Sequence, residues 1–478
     1  MPTREYDLIA LGTGSAMSIV DAALRLHPDW RAAVIDKDEP GGICLTRGCI
    51  PSKLLLYPAE VVRAAQRASE FGIEVDIKRI AFDRVMDRMR GIIGEDIDAI
   101  RQGLSSATQI DYFPAPAHFT APYTFRAGNE TLHAPFILLG LGSAPLIPAV
   151  PGLGGVGYLT SDTVLQLKSL PAHVAILGGG YIAAEYGHFF ASMGAQVTII
   201  GRNPRFLPAE EPEVSEAVAH GLGKRLRLLT NREVVRVERI LGGKKRLTVR
   251  ERGGGATSVL VAAEILVAAG RGPTTGSLQA ERGGIALDEH GWVRVNEFLE
   301  TSQKNVWALG DATGRLPFKH KANYDARVVY QNALQGGHVA VDYHAVPHAV
   351  FTEPEVAGVG LTQAEAVGAK GTDGVMIGFY RYRDTAKGQA MAERDGFVKL
   401  IVDGTSHALL GGHIVGPQAS VLIQEVVTQM YAPGRSVDPI WTGMHIHPAL
   451  SEVVERAAGN LMNVAEYARL RGAETPAA

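Results

Sequence analysis

The chain has 478 residues, 46% hydrophobic and 20% charged, with a formal net charge of −3. That is the balance of a globular protein, and ~100–200 residues per domain makes it about three domains. It shows neither a basic footprint for nucleic acid nor an apolar run of the ~20 residues that span a bilayer, so neither partner is expected. The opening stretch, Met1-Pro-Thr-Arg-Glu-Tyr-Asp7, lacks an apolar signal core, and the expected location is the cytosol. Glycine is abundant at 55 residues, whereas the only cysteines are Cys44 and Cys49. A close pair in such a chain points to catalysis or metal binding rather than a disulfide scaffold.

Residues 6–11 read as a buried strand, Gly12-Thr-Gly-Ser-Ala-Met17 as a glycine turn, 18–26 as a helix and 31–35 as a strand ending at Asp36. Helices are expected over 59–71 and 82–105. The punctuation of 110–139 by Pro and Gly suggests short strands in an antiparallel meander, and 145–151 a linker. The first series then recurs: strand 174–177, turn Gly178-Gly-Gly-Tyr-Ile-Ala183, helix 184–193 and strand 196–200. Irregular chain after Gly270 leads to Asn305-Val-Trp-Ala-Leu-Gly-Asp311 and a helix over 320–334. Beyond Pro347, strands such as 397–402 mix with helices near 420–431 and 448–458. The expected architecture is α/β, with two Rossmann-like doubly wound nucleotide-binding domains and a C-terminal α+β domain. The first domain takes residues 1–148 and 271–345, the second 149–270 and the last 346–478.

A glycine turn between strand and helix lets backbone approach a pyrophosphate, whose charge the helix N-terminus stabilises. Close strand–helix packing also selects glycine, so the force of the observation lies in the tandem. In the first unit Gly12, Gly14 and Ser15 form the turn, and Asp36, 24 residues beyond Gly12, is placed to accept from ribose hydroxyls. Met17 replaces the third glycine and could loosen the close packing. In the second unit Gly178, Gly180, Tyr181 and Ile182 form the turn, but Gly201 stands where an acid would bind the ribose diol of NAD. Arg202 and Arg205 follow, and arginines clasp a 2′-phosphate, which argues for NADP(H). The alternative is two solvated loop arginines.

The most informative stretch is Gly41-Gly-Ile-Cys-Leu-Thr-Arg-Gly-Cys-Ile-Pro-Ser-Lys53. Residues five apart on a regular helix lie too far from each other for a disulfide, but Gly48 permits a distorted turn. Pro51 suits the first turn of a following helix, which would put Cys49 near a helix N-terminus where thiolate is favoured. The other readings are two structural thiols or half of a metal site. A metal would need further soft ligands, and no third cysteine exists.

This stretch resembles the Gly-Gly-x-Cys-x₄-Cys-Ile-Pro-Ser-Lys signature of the class I pyridine nucleotide–disulfide oxidoreductases. Gly178 to Glu185, Ala-Leu-Gly-Asp311 and His445-Ile-His-Pro-Ala-Leu-Ser-Glu452 extend the resemblance over essentially the whole chain. It implies FAD on the first unit, a nicotinamide nucleotide on the second (NADPH by the arginines, NADH possible) and a homodimer built through the C-terminal domain. It implies that Cys49 faces the flavin and forms the charge-transfer thiolate, while Cys44 is the interchange thiol that attacks substrate. Lys53 would lie near flavin N5 and pair with Glu185, and Tyr181 would gate the nicotinamide pocket. Asp311 would bond the ribityl chain; Gly142, Gly270 and Gly310 complete the cofactor-binding set, with no metal. The helix from His320 would aim its N-terminus at the flavin pyrimidine edge. His447, with Glu452, would act as general acid–base from the other subunit, with His445 secondary.

Within the family, Gly-Thr-Gly-Ser15, Ile-Ala-Ala-Glu185, Asn323-Tyr-Asp-Ala-Arg-Val-Val329 and Gln418-Ala-Ser-Val-Leu-Ile-Gln424 are most similar to mycothione reductases. That implies NADPH-dependent reduction of a small thiol disulfide, mycothione- or glutathione-like. The alternative is dihydrolipoamide dehydrogenase, normally NAD-linked, against which Gly201 counts. Mercuric reductase and a thioredoxin reductase with a C-terminal redox pair fit less well, because the tail from Gly472 to Ala478 carries no cysteine. A flavin-bearing redox sensor would lack a catalytic element, and none is missing.

Overall fold

Leu8–Leu11, Ala32–Ile35 and Phe136–Leu139 are apolar at every position, and all three are buried side by side in one parallel sheet of the computed structural model, which describes residues 2–474. Such unbroken apolar runs are what a strand covered on both faces requires. The full order is Val306–Ala308, Phe136–Leu139, Leu8–Leu11, Ala32–Ile35, Ile110–Phe113. The second unit repeats the plan, with order Leu159–Thr160, Glu264–Val267, His173–Leu177, Gln196–Ile200, Arg227–Leu229. In each sheet the strand that feeds the glycine turn is central, so the turn opens onto the carboxyl edge between neighbouring strands, where doubly wound folds bind ligands.

Because Val306–Ala308 belongs to the first sheet, the second unit is an insertion. The chain leaves through Ala144–Pro145 and returns through Arg271–Gly272, and these two segments pair with each other. Three-stranded antiparallel Arg232–Arg239, Lys245–Glu251 and Thr257–Ala262 form a flap on the second unit. The C-terminal domain is a six-stranded antiparallel sheet, ordered His348–Val350, Val356–Gly360, Leu409–Val415, Phe397–Asp403, Val375–Arg381, Leu461–Asn463. Helices Ala419–Met430 and Glu452–Gly459 pack their apolar faces into its core. The fold class is therefore α/β, two Rossmann-like domains followed by an α+β C-terminal domain.

Several elements differ from their expected bounds. The helix expected at 59–71 begins ten residues earlier, as Cys49–Arg67, because Pro51 falls in its first turn, where a missing N–H is harmless. The 110–139 stretch is a meander only in Ala117–Ala121, Thr124–Ala127 and Glu130–His133. Its flanking strands, Ile110–Phe113 and Phe136–Leu139, join the parallel sheet instead. The glycine-turn helices start at Met17 and Tyr181, and the later helix at Lys319. Met17 packs half-buried against the first core, and the close helix approach falls to Ala16, whose Cβ lies 3.1 Å from where a Cβ on Gly140 would sit. Residues 475–478 of the cysteine-free tail lie outside the described residues. Among those described, no helix is long and apolar enough to cross a membrane.

Candidate active site

A cavity of about 2260 Å³ runs from the first glycine turn, past Cys44 and Cys49, to the second glycine turn and the edge of the C-terminal sheet. The redox segment is two helices: Gly42–Arg47 carries Cys44, and Cys49 opens Cys49–Arg67. Gly48 between them has φ −124° and ψ −118°, and a Cβ there would sit 2.8 Å from the Ile43 carbonyl oxygen and 3.2 Å from Cys44 Cα. At the other end Gly42 (φ +71°) abuts the phosphate-type turn, its missing Cβ only 2.7 Å from Gly14 Cα. Two glycines thus place the thiol pair on the cavity wall against the first glycine turn.

Cys49 S–H donation draws the Cys44 thiol down to about 6, helped by Lys319 and by backbone N–H groups of Cys49 and Ile50 against the opposing effect of burial. The Cys49 thiol is pushed up in turn, chiefly by that donation, opposite to the thiolate expected there from the helix N-terminus. Lys53, one turn along the helix, reaches both carboxylate oxygens of Glu185 at 2.9 Å and lies 4.6 Å over the Phe351 ring. Glu185 also accepts from Phe351 N at 3.2 Å, so the ammonium on the wall is compensated.

Gly12, Gly14, Ser15, Asp36, Gly142, Gly310 and Asp311 all line the first half of the cavity. Asp36 Oδ2 accepts from Thr13 N at 2.9 Å and Thr13 Oγ1 at 2.6 Å, which ties the strand end to the turn. Asp311 accepts from Ser143 Oγ at 2.5 Å, and Arg271 holds Ser143 through its Oγ (2.6 Å) and carbonyl (2.7 Å). The turn Gly310–Thr313 is itself fixed from behind: Gly310 N donates to Asp325 at 2.8 Å, and Asp325 pairs at 2.8 Å with Lys321, both fully buried. These supports were not identified from sequence, although Lys321 and Asp325 stand at the i,i+4 spacing that marks a helical ion pair. The wall fits FAD: a long groove with side-chain-free backbone at Gly12, Gly14 and Gly42, acceptors at Asp36 and Asp311, and a cation at Lys53.

In the second half, Gly178, Gly180, Tyr181, Ile182 and Gly270 line the wall. Tyr181 donates to Glu210 at 2.7 Å, and burial raises its phenol. Arg202 lies on the wall, but Arg205 does not; it is exposed outside the cavity. The flap supplies Arg232 and Arg252 instead. Arg252 Nη1 donates to the Arg202 carbonyl at 3.1 Å, while Arg232 pairs with Glu251 at 3.0 Å. Glu233, also on the wall, is held below the ordinary carboxylate range by Arg250, with Arg202 and Arg252 adding to it. Arg252 lies fifty residues from Arg202, and only the hairpin brings them together.

His447 and Glu452 are not on this wall. They form a surface pair, His447 Nδ1 to Glu452 Oε1 at 2.8 Å, with the carboxylate buried and the imidazole 70% exposed. Ala449 N donates to the other oxygen at 3.1 Å, and the His447 contact chiefly lowers the Glu452 pKa. His445 pairs separately with Glu425 at 2.8 Å. Around them Trp441, Met444 and Ile446 are exposed, as are Ile50, Tyr57 and Val61 along the outer face of the Cys49–Arg67 helix.

Residues 6–337 match the family profile described as pyridine nucleotide-disulphide oxidoreductase, and residues 346–458 match that family's dimerisation domain. The chain is 37% identical over 470 residues to mycothione reductase of Mycobacterium tuberculosis, covering 95% of this chain and 98% of that protein. It is 32% identical over 463 residues to dihydrolipoyl dehydrogenase of Chlamydia pneumoniae, covering 94% and 96%. Among solved structures, the Cu(II) complex of the HOCl-induced flavoprotein disulfide reductase RclA from Escherichia coli superimposes with a TM-score of 0.84 at 28% identity. That match covers 96% of this chain and 99% of that one. With its tandem nucleotide folds, paired thiols and dimerisation domain, the chain belongs to the class I pyridine nucleotide–disulfide oxidoreductases, FAD-dependent enzymes that work through a redox-active disulfide.

Proposed function

We propose that this enzyme reduces a low-molecular-weight thiol disulfide, mycothione- or glutathione-like, at the expense of NADPH, as a homodimer with shared active sites. The observation that carries the reading is the arginine-lined end of the second groove. Gly201 stands where a ribose-binding acid would be, and Arg202 and Arg252 face the cavity there. The 37% identity to a mycothione reductase supports the substrate class.

FAD, when bound, supplies the two-electron transfer between nicotinamide and the cysteine pair. Gly12, Gly14, Asp36, Asp311 and Lys53 are the residues to hold it. Gly178, Gly180 and Ile182 hold the nucleotide, and Tyr181 covers the nicotinamide pocket. In the reduced pair, Cys44 Sγ is the attacking thiolate, since a thiol titrating near ambient pH is the best nucleophile for exchange. It attacks one sulfur of the substrate disulfide; that bond breaks, a mixed disulfide forms on Cys44, and the first thiol leaves. Cys49 then attacks Cys44 Sγ, releasing the second thiol and closing the Cys44–Cys49 bond. The first departing thiolate takes a proton from His447 of a second copy, whose imidazole Glu452 orients through Nδ1. As Cys49 attacks, its thiol proton passes to His447, which hands it to the second departing thiolate. The exposed apolar residues beside His447 and along the Cys49–Arg67 helix are the surface such a dimer would bury.

Four outcomes follow from this scheme. NADPH oxidation against mycothiol, bacillithiol and glutathione disulfides should exceed NAD reduction by dihydrolipoamide; if dihydrolipoamide with NAD is faster, the enzyme is a lipoamide dehydrogenase. Arg202→Ala and Arg252→Ala should each lower the NADPH/NADH ratio of kcat/KM by about tenfold or more, while Arg205→Ala leaves it near wild type. Alkylation of the reduced enzyme by iodoacetamide should rise with pH through about 6, as the Cys44 thiolate forms; a rise only near the ordinary thiol value of about 8.5 would contradict that. Finally, dimers mixing a Cys44→Ser chain with a His447→Ala chain should regain about half the wild-type activity, because one of two shared sites is intact. If both residues acted within one chain, the mixed dimer would be as inactive as its parents.

A further inference from the structure

We propose that Glu210 and His348 form a latch for Tyr181, with His348 the positioning residue that sets how readily the tyrosine leaves the nicotinamide pocket. This rests on Tyr181 being the cover of that pocket. Tyr181 OH donates to Glu210 Oε1 at 2.7 Å, and His348 Nε2 contacts the same oxygen at 2.8 Å. The two rings stack, with centroids 5.5 Å apart and planes 10° from parallel. The Glu210 side chain has no solvent exposure, and its Oε2 finds no partner among the described residues. All its side-chain hydrogen bonding is therefore concentrated on one oxygen and two donors.

The latch is rigidly mounted on both sides. The segment bearing Glu210 folds back on the second glycine turn, with Leu207 N donating to Gly179 O at 2.9 Å. The next residue, Glu211, is anchored to the C-terminal domain by the buried Lys399 at 3.0 Å. His348 begins the strand His348–Val350 of that domain and also stacks on Phe318, at 6.2 Å. Its strand partner is Gly358, where a Cβ would lie 2.6 Å from His348 Cε1. The imidazole is held between Tyr181, Phe318 and a bare stretch of strand, with its Nε2 on the carboxylate.

A buried carboxylate is costly to leave without donors. When Tyr181 swings out to admit the nicotinamide ring, His348 keeps Glu210 Oε1 satisfied, and the opening is cheap. Without a donor at 348, the same swing strips the carboxylate of its last side-chain partner, and the tyrosine stays shut.

The test titrates purified holoenzyme with NADP⁺ and with 2′-phospho-ADP-ribose, which lacks the nicotinamide and does not need the pocket open. If the wild type binds the unphosphorylated nucleotide more tightly, NAD⁺ and ADP-ribose form the pair. His348→Phe keeps a stacking ring and loses the donor; His348→Gln keeps an N–H donor and loses the ring. The Kd for NADP⁺ should rise about tenfold or more in His348→Phe, the loss of one hydrogen bond to a charged group. The Kd for 2′-phospho-ADP-ribose should stay unchanged. His348→Gln should remain within about threefold of wild type for both ligands. In a Tyr181→Phe background, His348→Phe should have no further effect on NADP⁺. Equal weakening of both ligands by His348→Phe, or the same loss with Tyr181→Phe present, would make the histidine merely structural and overturn the latch. If Tyr181→Ala leaves the ratio of the two affinities as in wild type, the pocket-cover reading itself fails, by a signature separate from any result at 348.

Discussion

The interruption of helix at Gly48 is the constraint on which the rest of the site depends. On one continuous helix Cys44 and Cys49 would be about 7.5 Å apart along the axis and would face different ways. Ending one helix at Arg47 and starting the next at Cys49 removes that constraint. The junction residue must lack a side chain, because a Cβ there would press on the Ile43 carbonyl. The matching contact at Gly42 seats the same segment on Gly14 of the nucleotide turn. Two backbone-to-backbone approaches therefore couple the thiol segment to the first glycine turn, without any side chain between them.

Charge is arranged around that core so that the ions nearest the thiol segment and the Asp311 turn are partnered. Lys53 is compensated by Glu185, and Asp311 is reached through Ser143 and Arg271. Lys321 and Asp325, wholly buried, hold the backbone of the Asp311 turn. Buried pairs of this kind add little net stability, because desolvation offsets their attraction, but removal of one member is expensive. Their effect here is positional: they fix the direction of groups that face the cavity. The thiol pair follows the same logic: the Cys49 thiol, Lys319 and nearby backbone N–H groups draw the Cys44 thiol down to about 6.

Much of this was legible in the residues. Unbroken apolar runs before Gly12 and Gly178 identify parallel strands, and the glycine turns after them follow from the need for backbone to approach a phosphate. The pairs Cys44–Cys49 and His447–Glu452 are local, within five residues, and Gly48 between the cysteines signals the break in helix that their spacing needs. Less legible were contacts that cross elements. Arg205 follows Arg202 closely yet lies outside the cavity, whereas Arg252 arrives from a hairpin fifty residues later. The strands Ile110–Phe113 and Phe136–Leu139 look like members of a meander because their flanking turns resemble its turns. Their partners in the parallel sheet are remote in sequence.

By itself, then, the sequence determined the class of chemistry: two nucleotide turns, one thiol pair and a His–Glu pair, each encoded in a short segment whose geometry is set by local backbone rules. The tertiary structure alone decided which distant side chains serve those segments. Glu210 and His348 meet at Tyr181, Lys321 and Asp325 stand behind Asp311, and the flap delivers Arg252 to the second groove. The physical reason is that a backbone turn is specified by a few consecutive residues. A buried polar group can instead take its partner from any element that packs against it, and packing is settled only when the whole chain folds.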